Sequence, residues 1–148
     1  MIQLRAVTKE NIDDVLALKV GKDQERFVSS NSESLAQAYV YSKTAYPFAI
    51  YHDETIVGFI MMAYYEKNGY YTLWKFMVDK RYQDHGYGRE ALMQGIDFIN
   101  NKFGAKDIYT GVIPDNKVAK GLYESVGFVF TGVYEDGMEE LRLQLEDR

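Results

Sequence analysis

The chain has 148 residues, a net charge of −5, 47% apolar and 26% charged residues, and no cysteine. That length and apolar content are enough for a domain with a buried core, and exclude a disordered chain. The acidic balance argues against nucleic acid, whose phosphates call for clustered Lys and Arg, and the lack of cysteine excludes disulfides, thiolate metal ligands and a cysteine nucleophile.

"IQLRAV" (2–7) reads as a strand, and the N-terminal "MIQLRAV" lacks the basic and apolar regions of a signal peptide. Thr8 then caps a helix with Ile12, Val15, Leu16 and Lys19 at helical spacing, and Glu10 and Asp13 lie near its positive end. "GKDQERFVSSNS" breaks the pattern before a second helix, from about 34 to 42, that groups Leu35, Ala38 and Tyr39. A meander follows: "PFAIYH" turns at Asp53-Glu54 into "TIVGFIMMAYY", which turns at Lys67-Asn68-Gly69 into "YYTLWKFMVD". Its apolar run 55–65 is too short to cross a bilayer. Residues 86–103 form a long helix whose Leu92, Ile96, Ile99 and Phe103 make one stripe. "DIYTGVI" (107–113) is almost continuously apolar, as a buried strand should be. Pro114-Asp115-Asn116 opens a helix to about Val126, which Gly127 ends in a left-handed cap. "FVFTGVY" and "MEELRLQL", joined through Asp136-Gly137, close the chain as a hairpin. The order is β-α-α-β-β-β-α-β-α-β-β, a mixed α/β layer fold, expected as one domain over 1–148. No repeat, linker or metal-ligand spacing is seen, and His52 and His85 stand apart in sequence. The expected setting is cytoplasmic, without nucleic-acid or membrane partners, and the acidic surface would draw cationic small molecules or basic peptides.

The informative loop is "DKRYQDHGYGREAL" (79–92), a strand entering a glycine-rich turn that opens a helix. The first amides of that helix have no internal partner and its dipole is positive there, so the turn is an anion site, ringed by Lys80, Arg81 and Arg89. Gly86-x-Gly88-x-x-Ala91 fits a dinucleotide fingerprint, and Gln83-x-x-Gly86-x-Gly88 fits a coenzyme A pyrophosphate loop. Context disfavours the first, because a dinucleotide turn follows the first strand of a βαβ unit and here a meander precedes it. A plain structural turn is the remaining alternative. In "PDNKVAKGLYESVGF", Asn116 stands where it can cap the helix or hold a ligand amide, and Ala119 and Tyr123 share a face.

Together, "WKFMVD", the loop Gln83-Asp84-His85-Gly86-Tyr87-Gly88 and Asn116-x-x-Ala119-x-x-Leu122-Tyr123-x-x-x-Gly127-Phe128 resemble the GNAT acetyltransferase superfamily over essentially the whole chain. The resemblance implies a mostly antiparallel sheet of about seven strands with helices on both faces, splayed between its fourth and fifth strands. Acetyl-coenzyme A would lie in that gap as co-substrate, with no metal. Phe76, Met77 and Val78 would pair with pantetheine, amides from Asp84, His85, Gly86, Tyr87, Gly88 and Arg89 would grip the pyrophosphate, Asn116 would contact the pantetheine, and Tyr123 would face the sulfur. Residues 23–39 and 69–88 are similar to small bacterial polyamine acetyltransferases, which implies a spermine- or spermidine-like acceptor.

Two departures stand out. Asp84 and His85 occupy positions often basic or glycine in the family, and Trp74 stands where some polyamine acetylators carry a glutamate base. The implied reaction is direct attack of a primary amine on the thioester. An alkylamine with pKa about 10.4 must first lose a proton, for which Glu25 and Glu66 are candidate acceptors. The Met77 or Val78 amide would hold the oxyanion, and Tyr123 would protonate the thiolate. A cationic acceptor calls for carboxylates and aromatic walls; Glu25 and Glu33, with Glu135 or Asp136 from the last hairpin, are the candidates. Two alternatives stay open: a peptide, protein or aminoglycoside amine as acceptor, and a non-catalytic acyl-coenzyme A sensor. A homodimer is expected from family habit.

Overall fold

Apolar runs between turn residues build the strands, Thr55–Tyr65 being buried on both faces, and the 3.6-residue stripe builds the helix Tyr87–Phe103. In the computed structural model, which describes residues 1–145, the order runs β1 (Ile2–Ala6), α1 (Ile12–Ala17), a 3-10 helix (Lys22–Phe27), α2 (Asn31–Val40), β2 (Ala45–His52), β3 (Thr55–Tyr65), β4 (Tyr70–Val78), α3 (Tyr87–Phe103), β5 (Asp107–Val112), α4 (Lys117–Ser125), β6 (Val129–Glu135) and β7 (Met138–Gln144). The strands make one sheet in the order β1-β2-β3-β4-β5-β7-β6. Every neighbouring pair is antiparallel except β4–β5, which is parallel. The mixed α/β, mostly antiparallel class expected from the sequence is the one found.

Both faces are covered. On one, α3 and α4 bury Leu92, Ile96, Ile99, Tyr123 and Val126 against Ile60, Met62, Leu73, Ile108 and Leu141. On the other, Val15 and Ala38 of α1 and α2 pack on Ala49, Phe59, Met61 and Met77. The α3 stripe is fully buried at Leu92, Ile96 and Ile99, each stabilising the fold by about 1.5–3 kcal/mol.

The first two helices differ from expectation. α1 begins at Ile12 because residues 8–11 first close a turn, in which the Asn11 side chain accepts from the Thr8 N–H at 2.8 Å. The helix stops at Leu18, whose ψ of 139° is extended, so Lys19 lies outside it. α2 starts earlier, at Asn31, with the Ser30 hydroxyl accepting from the Glu33 N–H. Its buried face is Asn31, Ser34 and Ala38, while Tyr39 is 85% exposed. Ala38 and the half-buried Leu35 pack on the core as expected, and Asn31 and Ser34 complete that face in place of Tyr39. Residues 22–27, which read as irregular, form the 3-10 turn.

The turns follow the chemistry read from the chain. Asp136 and Gly137 have φ of 54° and 79°, the paired left-handed conformation that matches strand twist in a tight hairpin. Gly127 ends α4 at φ 111°, as expected.

Two irregularities shape the middle of the sheet. Met61 pairs with Lys75 and Met62 with Leu73, so Trp74 is an extra residue that bulges β4. More consequentially, β4 and β5 pair only at Tyr71–Ile108 and Thr72–Tyr109, while β4 continues to Val78 against β3 alone. The Thr110 hydroxyl donates to the Leu73 carbonyl at 3.0 Å at the apex of this fork.

Candidate active site

Beyond the fork, the parted strands leave a cavity of about 530 Å³. Its floor is β4 from Leu73 to Val78, one wall is β5 with the α4 N-cap Asn116 and with Ala119 and Tyr123 of α4, and another is Phe27, Val28 and Ser29. Loop residues Gln83, Asp84, Gly86, Tyr87, Gly88 and Arg89 close one end. The structure thus brings Phe76, Met77, Val78, Asn116 and Tyr123 together with the loop, although they span more than 40 positions of sequence. His85 belongs to the same loop but is not part of the lining; its Nδ1 lies 2.7 Å from the Gln83 carbonyl.

The loop is built as an anion site requires. Gly86 is the N-cap of α3 at φ 80°, a conformation in which a side chain is strained. The dipole and free amides of this long helix face the cavity end. Tyr87 is clamped between the two histidines, stacked on His52 at 4.5 Å and tilted against His85 at 5.2 Å. These histidines, isolated in sequence, share one ring in the fold.

Electrostatics around the loop are weaker than the residue count suggests. Arg81 is tied to the buried Asp79, with Nε 2.9 Å from Oδ1, so it is not a free cation of the loop. Burial alone would raise the Asp79 carboxyl, but hydrogen bonds from the Arg81 side chain and from the Arg81 and Lys19 backbones hold it below the usual range. Asp84 adds an exposed carboxylate, and its φ of 65° is left-handed. Arg89, in the first turn of α3, is the guanidinium that lines the cavity.

On α4, Asn116 caps the helix through Oδ1, which accepts from the Ala119 N–H at 3.3 Å. This uses the side-chain oxygen and leaves its amide nitrogen without a partner among the described residues. Tyr123 is buried, its ring 5.8 Å from Phe128, and burial pushes its hydroxyl up to about 12. It keeps its proton throughout the neutral range.

These features fit acetyl-coenzyme A. A strand edge without a protein partner can pair with an extended amide-bearing arm, as another strand would, and a helix N-terminus suits a pyrophosphate. A Cβ on Gly88 would meet Val78, Phe76 and Leu122 at 3.5–3.8 Å, ordinary contacts, so its bareness is not required by packing. It leaves backbone open toward the cavity.

Residues 14–128 match the model of the acetyltransferase (GNAT) family. The chain belongs to the GNAT family.

Its enzymatic class follows: an acetyl-coenzyme A-dependent N-acetyltransferase. A spermine/spermidine N(1)-acetyltransferase of Bacillus subtilis (strain 168) is 28% identical, over 97% of both chains. Among solved structures, the PaiA N-acetyltransferase of Thermoplasma acidophilum in complex with coenzyme A superposes with a TM-score of 0.74 at 16% identity, covering 98% of this chain and 99% of the other. A dodecameric spermidine N-acetyltransferase of Vibrio cholerae gives a TM-score of 0.72 at 16% identity, covering 97% and 93%. The GNAT sheet, with its fork between the fourth and fifth strands, is the expected one.

The carboxylates that the sequence offered for a cationic acceptor lie outside the lining of this cavity. Glu25 and Glu33 are exposed on the 3-10 helix and on α2, flanking the Phe27–Ser29 wall without lining the cavity. Glu66 is exposed in the β3–β4 turn, and Glu135 and Asp136 are exposed at the tip of the last hairpin. Asp84 is the one carboxylate among the described lining residues. Inside stands Lys75 instead, aimed across the bulge so that Nζ donates to the Ser29 hydroxyl at 2.8 Å and lies 5.5 Å from the Trp74 ring. Burial lowers its ammonium pKa, with Glu33 pulling the other way. Sequence reading missed Lys75 because its partner Ser29 lies 46 positions away. It also missed the Gln24–Gln83 contact, since residues 59 positions apart carry no shared local signal.

Proposed function

We propose that this enzyme transfers an acetyl group from acetyl-coenzyme A to a primary amine of a spermine- or spermidine-like polyamine within a ternary complex. The observation that carries the acceptor is the full-length similarity to the Bacillus subtilis spermine/spermidine N(1)-acetyltransferase. The cofactor placement is supported by the fork and the loop, and by the coenzyme A bound in the related fold from Thermoplasma acidophilum.

In this reading, pantetheine lies along Phe76, Met77 and Val78 and contacts Asn116, and amides from Asp84 to Arg89 hold the pyrophosphate. The attacking nitrogen bonds to the thioester carbon and the carbon–sulfur bond breaks as the tetrahedral intermediate collapses. A β4 amide, at Met77 or Val78, stabilises the oxyanion. The amine's proton leaves through water toward carboxylates outside the cavity, with Glu25 beside the wall. The Lys75 ammonium favours this loss, because a second positive charge nearby is disfavoured. Tyr123 donates a hydrogen bond, and then a proton, to the leaving sulfur. The free amines of the acceptor reach Glu25 and Glu33 at the rim.

A second reading rests on Lys75. A cation within the cavity suits an acceptor bringing its own carboxylate, such as an acidic peptide with a free N-terminus. A panel of polyamines, peptides and aminoglycosides, followed by thiol release from acetyl-coenzyme A, separates the readings. Release with spermidine supports the first, and release with peptides alone supports the second. Tight coenzyme A binding without release from any amine identifies a sensor instead.

The cytoplasmic setting and the homodimer belong to the same proposal. Among the described residues, no helix is long and apolar enough to cross a membrane. The edge strand β6 exposes Val129, Val133 and Tyr134, which suits a second copy of the chain. Sedimentation velocity tests the dimer, and a monomer at micromolar concentration excludes it.

A further inference from the structure

The wall around Phe27 is an unusual piece of chain. The 3-10 helix Lys22–Phe27 has no buried residue, yet its Gln24 and Phe27, with Val28 and Ser29 after it, line the cavity. Such a segment has little hydrophobic anchorage of its own, so its polar ties decide how well it is ordered.

Apart from an exposed ion pair of Arg26 with Asp115 at 3.6 Å, those ties run to β4 and the loop after it. At the near end, the Lys19 N–H donates to Asp79 at 2.9 Å and the Lys80 N–H to the Lys19 carbonyl at 2.8 Å. At the far end, Lys75 donates to Ser29. Between them, two side-chain amides face each other. Gln83 Nε2 donates to Gln24 Oε1 at 2.9 Å, and Gln24 Nε2 donates back to Gln83 Oε1 at 3.3 Å. The same Gln83 nitrogen donates to the Val78 carbonyl at 2.9 Å, and Gln24 Oε1 also accepts from the Gly21 N–H at 3.3 Å. One chain of hydrogen bonds therefore links the end of β4, the loop and the first turn of the 3-10 helix.

We propose that Gln24 is a positioning residue whose amide pair with Gln83 makes the acceptor wall, residues 22–29, a continuation of the coenzyme A loop, so that coenzyme A held by the loop orders the wall. This rests on the placement of the pyrophosphate at residues 84–89. Gln83 belongs to the loop and borders the cavity, and its side-chain nitrogen is shared between Gln24 and the Val78 carbonyl, which makes it the link between loop and wall. Acceptor binding then follows cofactor binding because the wall is firm only when the loop is. The coupling is reciprocal: an acceptor that firms the wall tightens coenzyme A by the same factor.

Hydrogen exchange with and without saturating coenzyme A tests this without needing the acceptor. In the wild-type enzyme, coenzyme A is expected to slow exchange at least several-fold both in the loop 83–90 and in the wall 22–29. In Gln24→Ala the loop is still protected, the wall is not, and coenzyme A affinity stays within about twofold. Gln24→Glu keeps the acceptor oxygen for Gln83 and Gly21, loses the return donor, and should fall between the two; it also replaces the alanine variant if that fails to fold. Equal protection of the wall in wild type and Gln24→Ala overturns the proposal, as does a wall that stays unprotected in wild type while the loop responds. If neither region responds and calorimetry finds no coenzyme A binding, the placement of the cofactor fails, and the inference falls with it.

Discussion

The carboxylate of Asp79 lies 2.9 Å from the Arg81 guanidinium and removes that arginine from the field of the anion-binding loop. It also accepts from the Arg81 and Lys19 backbones, so one buried side chain joins the end of β4, the start of the loop and the chain after α1. Its carboxyl is held below the usual range, so it contributes stability above the unfolded value, about 3.9, that is lost as pH falls through the lower folded value. Asp79→Asn should cost about 1–3 kcal/mol at pH 7 and flatten this acid limb. Urea unfolding at several pH values below 5 checks it, and an unchanged acid limb removes Asp79 as its source.

Gly86 and Gly88 should fail differently when changed to alanine. Gly86 is left-handed, so Gly86→Ala should destabilise the free protein by about 1–2 kcal/mol. Gly88→Ala meets only ordinary contacts and should leave stability within about 0.5 kcal/mol, while coenzyme A affinity drops at least tenfold. Thermal unfolding without cofactor, compared with calorimetric titration of coenzyme A, separates the two.

Asp84 carries a charge of the wrong sign beside the proposed pyrophosphate. Asp84→Asn removes the charge and keeps a residue that tolerates the left-handed φ of 65°. Coenzyme A should bind several-fold tighter at low ionic strength, with the gain shrinking as salt screens the loop. A gain that does not vary with salt would trace to backbone or contact effects and not to charge.

Tyr123→Phe should slow turnover by roughly 10²–10⁴-fold with coenzyme A affinity nearly intact, and wild-type turnover would refute its role. A second readout is independent of activity. The Tyr123 hydroxyl is raised by burial from about 10 to about 12, so the folded state gains stability that is complete below pH 10 and lost as pH climbs through 12. The loss is roughly 3 kcal/mol at full extent. The phenylalanine variant should lack it, which denaturant unfolding between pH 9 and 12 measures.

Local chemistry carried much of this protein in its sequence. Left-handed turns at Asp136-Gly137 and Gly127, the α3 stripe Leu92-Ile96-Ile99 and the turn-bounded apolar runs of β2 to β4 are short-range features, and each was legible from residues a few positions apart. The loop Gln83–Arg89 and the helix Asn116–Gly127 were legible for the same reason, and their separation within the element order pointed to the GNAT fold. Which charged side chains line the cavity was decided only in three dimensions. Lys75 lines the cavity and reaches Ser29, Glu25 and Glu33 are exposed outside its lining, and Asp79 withdrew Arg81 from the loop. Each depends on which distant element comes to rest against a side chain, and no periodicity along the chain encodes that.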